Sequence, residues 1–417
     1  ECGLGEDTAP GLGLSNSSNP LFTAGLRGVK KHNVHKLKTV IFETLSTLAK
    51  NGIKKQDIQA AFMTMEFSHR EIRRTHGPYA LSIMRCPVNA WLFGDDIEDS
   101  FLLRKVMEEI SRKITEEKGY LESLIEKFLL NNRDFLVSRI SPSKNYLLKR
   151  EKLEKKTIKR KTEKTSLEAI KLQNKRLLEF QKSWDDVSCL PHLCPKDFIK
   201  DGKPVLPSHN IIHSKMQVCS SEIDFFESCE ETNGISYIKV GFPVDLLTAE
   251  EYQYLPLLSE IVCDCGWGNL SWTEKEEKIA LSTGGITASL LTNSSGRSEC
   301  AKKYSSGKIF YGRDWIVFSL KVLDEKFTQG LELLADNINL VDFSDAKRIK
   351  DIVFECRNDA LSGIVQMGHQ YAVLRSERKT SRVSAVDELW NGLSSIMNIK
   401  RFAEENPTVI GNKLREI

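Results

Sequence analysis

The sequence predicts an α+β fold, and three observations carry that prediction. Apolar residues recur at helical spacing over several stretches, opened by capping signals or closed by glycine. Short β-type runs lie between those stretches. A strand–helix–helix pattern near the start also returns about 290 residues later, which is the mark of an internal duplication.

Taken in order, residues 20–27 read as a strand ending near Gly28. Leu37, Ile41, Leu45 and Leu48 then mark a helix that Asn51-Gly52 stops. A second helix starts at about Lys54, with Ile58, Ala61, Phe62 and Met65 on one side. Pro78 and Pro87 are expected to break the next stretch. Another helix carries Leu121, Leu124, Ile125, Phe128 and Leu129, and 135–140 alternates as a short strand would.

The composition changes after Ser141-Pro142-Ser143. Residues 144–182 contain neither Gly nor Pro and are rich in Lys, Glu and Leu. Thr165-x-x-Glu168 reads as a capping box, so a helical hairpin turning near 161–164 is expected, with Leu167, Ile170 and Leu177 as a narrow seam.

From about Trp184 the pattern is again mixed. Residues 224–229 and 235–242 read as a hairpin across Thr232-Asn233-Gly234. Thr248-x-x-Glu251 and Thr273-x-x-Glu276 each cap a helix, Gly284-Gly285 opens a strand at 286–291, and 315–322 is a further strand. Phe327, Leu331, Leu334 and Ile338 then mark a helix, and a second begins near Asp345. This closing order repeats that of 20–82, down to Gly77-Pro78-Tyr79-Ala80 against Gly368-His369-Gln370-Tyr371-Ala372.

At 417 residues, 40% hydrophobic and 28% charged, the chain is a folding composition of two or three domains and not a disordered or collagenous one. It has no run long enough to span a bilayer. Sixty basic against 57 acidic residues give +3 overall, which favours neither nucleic acid nor membrane as a partner. Locally, 144–182 holds 14 Lys/Arg against 5 Glu, a net +9 that leaves −6 elsewhere. Interleaved Glu and few aromatics make a solvated linker the reading of that stretch. Both ends read as interior to a longer protein, since the chain opens on Glu1 and stops after Lys413-Leu414-Arg415.

Motifs that carry chemistry are sparse. The ten cysteines do not form a disulfide framework; Cys263 and Cys265 face opposite sides of a helix, and Cys189 and Cys194 flank a loop proline. His209-x-x-x-His213 has the spacing of a zinc pair but lacks the Glu of His-Glu-x-x-His and follows Pro204 and Pro207, so it reads as a surface loop. Asp95-Asp96-x-Glu98-Asp99 lacks the Gly and terminal Glu of a calcium loop and reads as an acidic helix start. His369, at an expected helix start, reads as packed or exposed. No P-loop and no His-x-x-Glu-His motif occurs.

Several strings nevertheless resemble the presequence protease and falcilysin branch of the pitrilysin-type zinc metallopeptidases. They are Gly3-Leu4-Gly5-Glu6-Asp7, Gly25-Leu26-Arg27-Gly28, Ser188-Cys189-Leu190-Pro191, Thr232-Asn233-Gly234, the run Ile279–Ser289, and Gly368–Ala372. Their order and spacing cover essentially the whole chain. The resemblance implies duplicated α/β sandwich units, helices on a mostly antiparallel sheet, joined by the charged hairpin. Residues 1–142 then resemble the latter part of a second domain, 143–184 the hairpin linker, and 185–417 a third domain lacking its last part.

In that family the zinc ligands lie in the first domain and further active-site groups in the fourth, so the resemblance places no catalytic, cofactor-binding or metal-ligating residue on this chain. It implies the central, non-catalytic portion of a zinc metalloendopeptidase that degrades unfolded peptides in a closed chamber, with zinc bound outside this fragment. Its expected partners are unfolded peptides and the missing domains of the same chain, in a bacterial cell or an organelle matrix. Two other classes stand beside this reading: a non-catalytic scaffold of the same fold, and nucleic-acid binding through the basic hairpin.

Overall fold

The computed structural model describes residues 3–8, 13–14, 21–72, 77–94, 96–163, 165–185, 188, 190–192, 194–197, 199–200, 203–204, 211–218, 221–293, 302–303 and 307–417. The chain divides into two bodies, one formed by residues 1–132 with 231–417 and the other by residues 133–230.

The first body opens with two-residue strands: β1 (Asp7–Thr8) pairs with β4 (Leu26–Arg27), and β2 (Gly13–Leu14) with β3 (Phe22–Thr23), all antiparallel. The single strand expected at 20–27 is therefore two short ones, and Pro20 lies outside the described residues. Helices α1 (Val34–Asn51) and α2 (Lys55–Arg70) follow as the apolar spacing predicts. Gly52, at φ 86°, ends α1 where a residue with a side chain would be strained.

Helix α3 (Tyr79–Phe93) runs through Pro87, contrary to the break expected there; Pro78 instead precedes its first turn, where a missing N–H costs nothing. Helix α4 (Leu103–Glu116) was not legible as a separate element, and α5 (Tyr120–Ile125) continues as a π-turn to Leu130. Asp96 accepts from the Glu98 N–H at the start of a short 3₁₀ turn (Glu98–Phe101), so the acidic run straddles the start of that turn and not of an α-helix; Asp95 lies outside the described residues.

In the later part of this body, β9 (Ile235–Pro243), β10 (Ile286–Thr292) and β13 (Asp314–Leu323) form an antiparallel sheet in the order β10-β13-β9. Helices α8 (Leu255–Asp264) and α9 (Trp272–Ala280) connect β9 to β10, while β11 (Lys302–Lys303) pairs with β12 (Ile309–Phe310) before β13. Helices α10 (Phe327–Asn339), α11 (Ala346–Glu377), α12 (Arg382–Asn391), α13 (Leu393–Phe402) and α14 (Pro407–Glu416) follow.

The core lies between one sheet face and α8, α10, α11 and the helices after them. Ile316, Phe318, Leu320 and Val322 of β13 meet Leu255, Leu258 and Ile261 of α8 and Ile349, Ile352 and Val353 of α11. The Thr248–Glu251 capping box forms as read. The second one is displaced: Ser271, not Thr273, caps α9, with Glu274 returning the bond. His369 falls inside the unbroken α11, not at a helix start, and is exposed.

The second body holds α6 (Tyr146–Thr162) and α7 (Leu167–Lys182), the expected helical pair. Its cap is Ser166, one residue after the expected Thr165. The seam does not close. Leu147, Leu153, Leu167 and Leu177 are all more than half exposed, because so few apolar residues per turn cannot bury themselves on one facing helix alone.

Residues 135–140 form no strand among the described residues. Beyond the pair β5 (Ile199–Lys200) and β6 (Lys203–Pro204), β7 (Ile211–Val218) pairs along its length with β8 (Ser221–Ser228). The hairpin expected across 232–234 is thus not made, since β8 pairs backward with β7 and β9 pairs with β13. Asn233 and Gly234 do take the left-handed conformations their sequence announces, with φ 57° and 78°.

Candidate functional site

Strand alternation gives the sheet two unlike faces. Even-numbered residues of β13 are buried, whereas Trp315, Val317, Ser319 and Lys321 are only half-buried on the other face. By register, Thr287, Ser289 and Leu291 of β10 and Tyr237, Lys239 and Gly241 of β9 share that open face. It is a mixed surface of hydroxyls, lysines and aromatic edges, the composition of a contact wall. The Ser289 hydroxyl donates to the Val317 carbonyl at 3.5 Å. Gly241 leaves room for the Trp315 ring, which would stand 3.2 Å from any Cβ at that position.

Both ends of this sheet are pinned. At one end Asp314 is wholly buried and accepts from Tyr252 Oη at 2.8 Å, Thr292 Oγ1 at 2.7 Å and both guanidinium nitrogens of Arg382, one at 2.9 Å. Burial alone raises the Asp314 pKa, but the bonds from Arg382, Thr292 and Tyr252 outweigh it and hold the carboxyl below the ordinary aspartate range. Burial, with Asp314 as acceptor, pushes the Tyr252 phenol well above its usual value. Four elements of distant sequence meet on one carboxylate.

At the other end α2 arrives from the first copy of the repeat. Lys321 Nζ donates to both carboxylate oxygens of Glu71, at 3.1 and 3.3 Å. Phe67 packs with Ile235 and Leu323, and its ring lies so close to Gly284 that a Cβ there would stand 2.7 Å from it. Asn233 Nδ2 donates to the Arg70 carbonyl at 3.2 Å. The Gly-Gly pair opens β10, as read, and its first glycine also makes room for Phe67.

Near α9 sits another buried charge. Lys275 is fully buried, donates to the Cys263 carbonyl and lies 3.8 Å from Glu276. Burial lowers its pKa and raises that of Glu276, while burial pushes the Cys263 thiol to about 11 and Cys265 to about 12. Such thiols are inert packing groups, not nucleophiles.

None of these constellations fits a zinc ion. Among the described residues no three His, Cys, Asp or Glu side chains converge on a metal position. His213 sits on β7, not in a loop, with Nε2 3.1 Å from Asp224 and its ring stacked on Phe226; His209 and Cys189 lie outside the described residues, and Cys194 is exposed. Asp314, Arg382 and Glu71 escaped sequence reading because no local motif marks a residue whose partners lie tens to hundreds of positions away, and Lys275 because no local motif marks its burial.

With this arrangement in hand, comparison with known proteins is decisive. The family described as "Peptidase M-16C associated" matches residues 140–402. The chain belongs to that family. It is also similar to the mitochondrial presequence protease of Xenopus laevis, 25% identical over 411 residues, covering 97% of this chain and 38% of that protein. The mitochondrial presequence protease of Aspergillus fumigatus is 27% identical over 426 residues, covering 98% and 38%. Presequence protease 1, chloroplastic/mitochondrial, of Arabidopsis thaliana is 28% identical over 440 residues, covering 100% and 38%. The chain therefore spans about two fifths of the length of these relatives. Among the described residues no helix is long and apolar enough to cross a membrane.

Proposed function

We propose that this chain is the central, non-catalytic part of a zinc metalloendopeptidase that degrades unfolded peptides inside a closed chamber. The observation that carries the reading is the coverage: the relatives named presequence protease align with nearly all of this chain, while it fills only 38% of each. The absence of His-x-x-Glu-His from the sequence agrees with ligands held elsewhere in a longer protein. In this reading residues 1–142 close a second metallopeptidase-like domain, 143–184 form the hairpin linker, and 185–417 belong to a third. Zinc held elsewhere in the longer protein would supply Lewis-acid chemistry to a scissile carbonyl and a bound water.

What this chain contributes is a wall. The open face of β9, β13 and β10 presents hydroxyls, Lys239, Lys321 and aromatic edges without a nucleophile–base pair, as a surface that confines a peptide without attacking it would. An organelle matrix suits the reading, since the names of the relatives place them in mitochondria or chloroplasts.

The test compares the 417-residue chain with the longer protein. Elemental analysis should find no stoichiometric zinc in the former, and it should leave an unfolded fluorogenic peptide uncut. The longer protein should bind one zinc and cut the peptide until a chelator is added. One chelator-removable zinc per 417-residue chain would refute the assignment.

A further inference from the structure

A cavity of about 660 Å³ is lined by α2, α4, the last turn of α9 and the first turn of α10. That volume lies within the range of built ligand pockets. Its walls are unlike. Phe62 and Met63 of α2 and Met107 of α4 give it an apolar side, with thioethers that adapt to a flexible guest. Lys278 of α9, Ser282 and Lys326 also line it and are polar or charged.

Two of these polar side chains are incompletely answered. Lys326 is half-buried, donates to the Leu281 carbonyl at 2.7 Å and stands 3.9 Å from the Met63 sulfur. Among the described residues no carboxylate pairs with it, and an ammonium has further N–H groups to give. Ser282 is only 4% exposed, and its hydroxyl bonds nothing among the described residues, although a buried polar group is normally satisfied. Because Lys326 holds the carbonyl of Leu281, the neighbour of Ser282, both donors come to one end of the cavity. Lys278 adds a second cation, 3.8 Å from Asp336. Glu66 brings an acid to the lining, but Arg70 Nε already holds it at 2.6 Å. Helix α10 starts here with no side chain capping its first turn, and that end of a helix favours negative charge.

We propose that this cavity binds a monocarboxylate with an unbranched alkyl tail, a ligand of the fatty-acid class. The carboxylate accepts from Lys326 Nζ and Ser282 Oγ within reach of the Lys278 charge. The tail lies along Phe62, Met63 and Met107, whose two methionines suit a flexible chain better than a rigid ring. The site does not depend on the peptidase reading, since it uses neither a peptide group nor a metal.

Isothermal titration calorimetry of the 417-residue chain with sodium decanoate, kept below its micelle concentration, tests this. Decanoate should occupy one site per chain and bind about tenfold or more tighter than decyltrimethylammonium, whose charge the lysines repel. Acetate, which lacks the tail, should bind about a hundredfold or more weaker. Lys326→Met should weaken decanoate about tenfold by removing a charged donor. Gln59→Trp, introduced at an exposed position of α2 that lines the cavity, should weaken it by a similar factor at an unchanged thermal midpoint. Equal affinity for decanoate and decyltrimethylammonium overturns the anion assignment, and this arm needs no protein variant to fold. Acetate bound as tightly as decanoate overturns the role of the tail, and decyl phosphate bound far tighter than decanoate overturns the carboxylate head. Decanoate that does not bind, or binding unmoved by both variants, overturns the site. Peptide cleavage by the longer protein bears on none of these outcomes, so the peptidase reading stands or falls separately.

Discussion

The two copies of the strand–helix–helix pattern share their apolar spacing and differ in what it accomplishes. In the second copy β13 is ten residues long, sits in the middle of the sheet and buries every even side chain along its length. Helix α10 closes on it through Gly330, where a Cβ would stand 2.7 Å from Val322, and it buries Leu333 and Leu334. In the first copy the strand shrinks to β3 and β4, and α1 has no buried residue. Val40 occupies the place about 290 residues before Gly330. Apolar spacing thus marks which side of a helix is available for burial, while a sheet to cover and a small residue for close approach decide whether burial occurs.

The comparison breaks most sharply at Asp314, to which the first copy offers no counterpart. Asp314→Ala leaves Arg382 facing an empty buried position and should cost about 3–5 kcal/mol of unfolding free energy, read by denaturant melts. The pH dependence has a defined sign. Because the folded carboxyl sits below the ordinary aspartate value, its contribution is present above about pH 4 and is lost as pH falls through the folded value. An Asp314→Asn variant should lose that acid-side dependence; identical acid profiles for the two proteins would show that Asp314 is not held low.

Next in size are the paired helix truncations. Leu334→Ala removes a wholly enclosed side chain and should cost about 2–5 kcal/mol, whereas Leu45→Ala, at the matching place in half-buried α1, should cost about 1 kcal/mol. Equal shifts in the denaturant midpoint would erase the asymmetry between the copies.

Gly284→Ala tests how α2 of the first copy seats against the opening of β10. The new methyl meets the Phe67 ring and should destabilise by about 1–3 kcal/mol. In a Phe67→Ala background the same change should cost much less, so a double-mutant cycle reads the contact directly. Additive costs would mean that α2 and the opening of β10 do not touch there.

The smallest effect concerns Lys275, whose burial lowers its pKa from 10.5. Between that lowered value and 10.5 the unfolded chain binds a proton that the folded one does not, so stability should rise with pH across this window. Lys275→Met should flatten the rise, as followed by chemical denaturation on the alkaline side of neutrality.

Much of the secondary structure was written locally. The spacing of Leu37, Ile41, Leu45 and Leu48 with Gly52 fixed α1, the Thr248–Glu251 box opened the segment leading to α8, and Gly284-Gly285 opened β10. These signals act through neighbours a few residues away, so the sequence contains all their partners. Pairing was not local. Thr232-Asn233-Gly234 dictated a left-handed turn, but turn geometry cannot say whether β9 finds β8 or β13, because that choice depends on which sheet face α8 and α11 cover.

By itself, then, the sequence indicated the α+β class, the starts of α2, α7, α10 and α11 within a few residues, and the family resemblance that the comparisons bear out. Tertiary structure alone decided that Asp314 gathers Tyr252, Thr292 and Arg382, and that Glu71 meets Lys321 from 250 residues away. The physical reason is range. Capping, turn and periodicity signals are energies between near neighbours along the chain, whereas the site of a buried carboxylate is defined by groups that only folding brings within bonding distance.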